Sequence, residues 1–290
     1  MKAAVNKIVR ANAWSEFWAD HAQSHCVAGA PDICRALAAH WASFAAALPV
    51  GTRVLDLGCG AGVVGSWMLK ARPDLRVSGV DSARIHRKLH PQLELHAETS
   101  MEDLPFTDQR FGAVVSQFGF EYSRRDPAAG EIARVLRPGG AMSLLVHHAG
   151  SAVLATNRAR AAVIDSLLSA PMRAAFCDGN PDLLGAQLSG LRARYPDDEL
   201  LDELARSLPP RLGRAPENRA AIWAAIEQAL APEHCMAHAL AESCVTEAGL
   251  DRWLEPLRAV CALMAVSVVR ETGGAPIAWK IEASRAPARN

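Results

Sequence analysis

The sequence has no excess of charge of either sign: 31 lysines and arginines stand against 31 aspartates and glutamates in 290 residues. That balance leaves no long-range basic field to gather nucleic acid, although a local basic patch is compatible with it. Long hydrophobic runs are missing too. The most apolar stretch, VCALMAVSVV over 260–269, is far shorter than a membrane span and has arginine near both ends. A buried strand or helix end is expected there, and no membrane association. The amino-terminal stretch MKAAVNKIVRANAWSEFWAD carries positive charge but lacks the apolar run of a secretory signal. No CxxC pair occurs among the seven cysteines, and their number is odd. Both facts argue against a disulfide framework and against a thiolate zinc site, so a cytoplasmic location is expected. His234 and His238 would share a helix face, as two metal ligands might, but no third ligand stands nearby in sequence and no metal is assigned.

What is present is apolar material in two different rhythms. Half of the residues are apolar, enough for one large core or for a core with a sizeable insertion. Residues 14–47 have helical spacing: Trp14, Phe17 and Trp18 stand at i, i+3 and i+4, and PDICRALAAHWASFAAAL follows. RVLDLG (53–58) then reads as a buried strand, VVGSWMLKA as a helix, RVSGVD (76–81) as a second strand and LELHAE (93–98) as a third. FGAVVSQFGF (111–120) reads as a fourth strand, GEIARVLRPGG (130–140) as a helix stopped by Pro-Gly-Gly, and AMSLLVHH (141–148) as a fifth. Strands alternating with helices imply a doubly wound parallel α/β sheet, Rossmann-like.

After His148 the rhythm turns wholly helical, with breaks at GNPDLLG, YPDD and LPPRLGRAPENR. A helix at LDRWLEPLRAV and two apolar runs around TGGAP, a hairpin, close the chain. The expected organisation is a lid segment over 1–50, the core over 51–150, a helical cap over 151–245, and a closing helix and hairpin over 246–286. The sheet would then have seven strands.

Residues 54–62, VLDLGCGAG, carry the chemistry. Gly58, Gly60 and Gly62 follow a strand and open a helix, and bare backbone admits close approach of a ligand. In a dinucleotide fingerprint the third glycine would fall at Val63. Asp56 lies two residues before the loop. A pyrophosphate there would meet a carboxylate, and like charges at short range in a partly dry crevice repel strongly. A nucleoside-bearing cation suits it instead, and S-adenosylmethionine is one: it carries an ammonium, a ribose and an adenine, and no phosphate. Asp81 ends the second strand at the distance where an acid accepts ribose hydroxyls; its alternative role is to cap a helix beginning SARIHRKL.

VLDLGCGAG, VSGVDSA, SMEDLPF, FGAVVSQFGFEY and EIARVLRPGG, in that order, resemble the successive motifs of the class I S-adenosylmethionine-dependent methyltransferases, most closely the branch that methylates small molecules. The resemblance covers residues 50–148. It implies that Asp56, Gly58, Gly60 and Gly62 line the methionine half of the cofactor, that Asp81 with the adjoining Ser82 holds the ribose, and that Met101 offers backbone to the adenine edge. Ser116 would lie beneath the sulfonium, with Gln117 beside it. Ser100 departs from the family pattern, in which an aspartate often contacts the adenine amino group.

Methyl transfer from a sulfonium needs mainly alignment, plus a base for some acceptors. Glu121 and His148 are the catalytic candidates. Successive strand residues point to opposite faces, so only one of His147 and His148 is expected to face the crevice, with His148 preferred as nearer the strand end. No Asn-Pro-Pro-Tyr or Asp-Pro-Pro-Tyr follows the fourth strand, which disfavours nucleobase amino groups as acceptors. The expected function is transfer of a methyl group to a small molecule under the helical cap. The alternatives are a catalytically silent S-adenosylmethionine-binding partner protein, an RNA or protein methyltransferase, and an NAD-dependent oxidoreductase, the last disfavoured by Asp56 and Val63.

Overall fold

The computed structural model describes residues 13–19, 31–271 and 273–285. Within them the alternating apolar runs become one sheet in the order β3-β2-β1-β4-β5-β7-β6. Its strands are β1 (Arg53–Leu57), β2 (Arg76–Val80), β3 (Glu94–His96), β4 (Phe111–Gln117), β5 (Leu136–His147), β6 (Ala262–Arg270) and β7 (Pro276–Ser284). The first five pair in parallel. β7 enters antiparallel between β5 and β6, its hairpin partner. The order reverses between β1 and β4, which opens a crevice at the carboxyl ends of those two strands, where ligands of such sheets bind.

Helices cover both faces, and strand alternation assigns the side chains. Val54, Ala113, Val115 and Leu145 pack with α2 (Pro31–Ala47) and α3 (Val63–Ala71). Leu55, Leu57, Val114 and Leu144 pack on the other face with α4 (Arg125–Val135) and α10 (Leu250–Arg258). Both faces of the central strands are therefore dry, which is why these strands read as unbroken apolar runs. Trp41 of α2 is fully buried, and its indole N–H donates to Gln117 Oε1 at 2.7 Å, fixing α2 against the end of β4.

As expected, the described residues 13–19 form a helix, α1, and Pro31–Ala47 another; residues 20–30, with Cys26, lie outside the described residues. Three other expected elements need correction. The helix read over 130–140 starts at Arg125 and ends at Val135, because Pro-Gly-Gly does not cap it. That tripeptide belongs to β5 and makes a bulge in the pairing with β4; Gly139 N–H and Gly140 carbonyl bond to Arg285. The fourth strand ends at Gln117, since Phe118 has positive φ and residues Phe120–Tyr122 turn as a 3₁₀ helix. No helix follows Asp81: residues 81–90 run as a loop, with Ala83 fully buried and Leu89 N–H bonded to Ala61.

The chain divides into two compact units, Met1–Ala155 with Ala239–Asn290, and Thr156–His238. The helical stretch leaves the sheet after β5 and returns beside it: His148 and Val245 form a parallel bridge, and Val245 N–H donates to His147 O at 3.0 Å. The helices of this stretch are α5 (Ala152–Leu167), α6 (Ala170–Cys177), α7 (Pro181–Arg194), α8 (Glu199–Ser207) and α9 (Pro216–Ser243). Their starts follow ordinary capping chemistry: Ser169, Asn180 and Asp198 accept from the amides of Met172, Leu183 and Leu201. The second unit has its own core around Phe176 and Trp223. No helix among the described residues is long and apolar enough to cross a membrane.

Trp41→Phe removes the donor that Gln117 uses inside the core. An unpaired buried carbonyl and the smaller ring together predict a loss of about 2–4 kcal/mol. Urea unfolding measures it; an unchanged midpoint would contradict the packing described here.

Candidate active site

The loop after β1 is shaped by backbone bonds and closed by one acid. Gly58 and Cys59 both donate their N–H groups to Val80 O, at 2.9 and 3.0 Å. Asp81 Oδ2 accepts from Gly60 N–H and Oδ1 from Ala83 N–H, each at 2.8 Å. Asp81 thus anchors the loop, and burial raises its carboxyl pKa against these two bonds. Ser82 beside it is exposed.

Glycine is required at two places for reasons the structure makes explicit. Gly58 has φ +66°, and a Cβ there would lie 2.9 Å from the Cα of Gly119, so two backbones cross where side chains have no room. At Gly60, with φ +51°, a Cβ would fall 2.3 Å from the indole of Trp18. Trp18 is buried on the loop together with Ala61 and Ala83, and Trp14 and Phe17 pack around it. The helix over residues 13–19 therefore packs directly on the glycine loop.

Asp56 is the anomaly of the core. It is 1% exposed, and neither of its carboxylate oxygens has a hydrogen-bond partner. It lies on β1 in the same alternation as Val54, toward the face that α3 covers. Burial first, and then the charge of Asp81, push its carboxyl up to about 8, against the backbone N–H of Gly65, which lowers it. A buried acid without a donor holds its proton at neutral pH, and it ionises when a cation replaces the missing solvent. The residues present fit an ammonium-bearing ligand.

The remaining cofactor candidates have structural partners. Ser116 is fully buried; its hydroxyl donates to Leu57 O at 2.7 Å and accepts from Phe120 N–H at 3.1 Å, tying the ends of β1 and β4 together. Gln117 gives its carbonyl to Trp41. The Met101 thioether reaches the loop, its Cε 3.5 Å from where a Gly58 Cβ would stand. Ser100 Oγ accepts from Glu102 N–H at 3.3 Å.

Of the paired histidines, His147 is the one joined to Glu121. Its Nδ1 lies 2.8 Å from Glu121 Oε1, and its backbone N–H donates to the same oxygen at 2.9 Å. The imidazole stacks on Phe118 with centroids 4.1 Å apart, and Tyr122 meets it edge-on. Glu121 Oε2 is buried without a partner. His148 turns elsewhere: its Nδ1 accepts from Gly150 N–H and its ring lies on Trp279. Burial and Arg270 lower its pKa. The sequence favours His148 over His147 and core packing for Phe118, and it gives Gly119 no role. The signal available was FGFEY itself, where a glycine between two phenylalanines marks a chain reversal. A cleft lined by Arg53, Arg76, Glu94 and Arg110 opens at the amino ends of the strands, the far end of the sheet from this chemistry.

Residues 54–140 match the model of a family described as a methyltransferase domain. No curated protein matches the chain. Among solved structures, a chain from the complex of the Haloferax volcanii Trm112 methyltransferase activator with its methyltransferase is 28% identical, with a TM-score of 0.34, over 41% of this chain and 55% of that one. This chain therefore spans about half the length of that relative. A geranyl diphosphate methyltransferase in complex with GPP and sinefungin is 14% identical, with a TM-score of 0.47, over 87% of this chain and 78% of that one. The Burkholderia thailandensis 1,6-didemethyltoxoflavin-N1-methyltransferase, with bound 1,6-didemethyltoxoflavin and S-adenosylhomocysteine, gives 14%, 0.46, 87% and 78%. The matched stretch runs from β1 to the start of β5 and holds Asp56, the glycine loop and Asp81.

The raised acid makes a stability prediction. Asp56 is protonated in the folded state up to about 8, whereas in the unfolded chain it ionises near 4. The folded state binds the extra proton between those values, so this residue's contribution to stability falls as pH rises through that window. Asp56→Asn cannot ionise. Its stability relative to the parent should therefore rise between about pH 5 and pH 8, by an amount on the order of 3 kcal/mol. Denaturant midpoints across that range measure it; a constant difference would mean that Asp56 is ordinarily ionised.

Proposed function

We propose that the chain transfers the methyl group of S-adenosylmethionine to a small molecule held between the glycine loop and His147. The observation that carries this reading is the continuous aromatic wall inside the first unit. Trp18 lies on Gly60, Trp14 meets Tyr122 at 5.5 Å, and Tyr122 meets His147 at 6.2 Å. Such a wall suits a small, enclosed acceptor better than a polymer lying across an open groove, and the absence of net charge agrees with that.

In this reading Asp56 receives the ammonium of the cofactor, Asp81 its ribose with Ser82 at the edge, and Met101 the adenine. Gly58, Gly60 and Gly62 provide the backbone floor, and Ser116 and Gln117 hold that floor in register. The cofactor supplies an activated methyl group, so the protein's work is alignment and exclusion of water. His147 takes the acceptor's proton. Glu121 fixes its ring through Nδ1, leaving Nε2 as the basic nitrogen, and stabilises the imidazolium that forms. Glu121 is thus a positioning residue. His148, bonded to Gly150 and packed on Trp279, has the weaker claim to the proton.

The test uses the full chain, S-adenosylmethionine labelled in the methyl group, and a cell extract separated into small molecules, RNA and protein. Label should appear in the small-molecule fraction; label in RNA or protein would overturn the reading. With the acceptor in hand, His147→Ala should lower kcat about 10²–10⁴-fold, the range of a lost general base, while cofactor affinity stays within about twofold. An undiminished rate in His147→Ala would remove it from the chemistry.

A further inference from the structure

The helical unit holds a cluster that the methyltransferase chemistry does not use. Asp165, in the last turn of α5, faces His234 and His238 on α9. Asp165 Oδ1 lies 2.7 Å from His234 Nε2 and 3.0 Å from His238 Nε2. The three donor atoms all lie within 4.8 Å of one another, and all three residues belong to the second unit. The imidazoles meet edge to face, with centroids 4.5 Å apart. Two nitrogens and one oxygen thus converge from two helices on a single point, partly open to solvent.

We propose that this is a binding site for a zinc-class divalent metal ion, held by His234 Nε2, His238 Nε2 and an oxygen of Asp165, with solvent in the remaining position. Histidines at i and i+4 on one helix present their rings to the same side, and a carboxylate across the groove completes three ligands, the number that leaves a tetrahedral ion one open position. Zinc bonds to nitrogen and oxygen are about 2.0–2.2 Å long, which sets ligand atoms somewhat over 3 Å apart. The two oxygen–nitrogen distances therefore need only open slightly to admit the ion. Imidazole nitrogens select zinc and its transition-metal neighbours over magnesium or calcium, which prefer oxygen alone.

The ion would clamp α5 to α9 where α9 is weakest. Pro232 lies inside α9 two residues before His234, and it cannot donate the backbone bond that the preceding turn expects. Arg160 already joins the same two helices one turn further along, bonding Glu233 at 2.6 Å and Asp198 at 3.0 Å. The metal adds a second tie between the two helices, on the same side of the proline as the Arg160–Glu233 pair.

The test is calorimetric titration of chelator-treated full-length protein with Zn²⁺, accompanied by thermal unfolding with and without the metal. One ion should bind per chain and raise Tm. His234→Ala, His238→Ala and Asp165→Asn should each weaken binding at least about 100-fold, more than the 10–100-fold typical of lost outer-shell partners, and abolish the Tm shift. Cys235→Ser, which changes the nearest thiol, should leave both unchanged. A parent that binds no Zn²⁺, or that binds it equally in His234→Ala, would overturn the site. Circular dichroism of each variant in the absence of metal separates lost binding from lost folding: a variant that has kept its helices but lost the ion supports the proposal.

Discussion

The constraint on which this site depends is a carboxyl group buried without a hydrogen bond. Asp56 sits on β1, an inner strand covered on both faces, and both of its oxygens lack partners. Val54, earlier on β1 in the same alternation, places an apolar side chain on that face. The surrounding structure is arranged to tolerate the acid rather than to satisfy it. Asp81 spends its oxygens on the amides of Gly60 and Ala83, and Val80 O takes those of Gly58 and Cys59. The loop is thereby held by its own backbone and by Asp81, while the Asp56 oxygens on the strand before it stay unpaired.

Much of this was legible in the sequence because the relevant residues are neighbours. VLDLGCGAG places acid, glycines and strand end within nine positions, and Asp81 follows at a readable distance. The sheet was legible because parallel strands buried on both faces leave short apolar runs that few other structures produce. Reading failed where tertiary bonds override local preference. SARIHRKL has helical composition, yet residues 81–90 are drawn into a loop whose Ala83 and Leu89 bond and pack against the glycine turn. Pro-Gly-Gly looks like a helix stop, yet Arg285, nearly 150 residues away, recruits it into β5.

The same limit explains the residues that sequence reasoning missed. Glu121 was visible as a candidate, but its partner had to be chosen between two adjacent histidines, and only the strand's true end decides the choice. Trp18 read as a lid residue, but its seat on Gly60 needed coordinates. His234 and His238 lacked a third ligand within reach in the sequence. Asp165 provides it from a helix that the chain reaches about seventy residues earlier. Each of these partners is distant in the chain, and no local periodicity encodes it.

The most direct measurement is calorimetric titration of the protein with S-adenosylmethionine near neutral pH, in two buffers of different ionisation enthalpy, for the parent and for Asp56→Asn. If the buried acid is the seat of the cofactor's ammonium, the parent releases about one proton per cofactor bound, because a carboxyl that titrates near 8 must ionise to pair with the cation. Asp56→Asn then releases none and binds more weakly. Binding heats that do not depend on the buffer, together with unchanged affinity in Asp56→Asn, would show that the cation sits elsewhere and that Asp56 is only a strained part of the core.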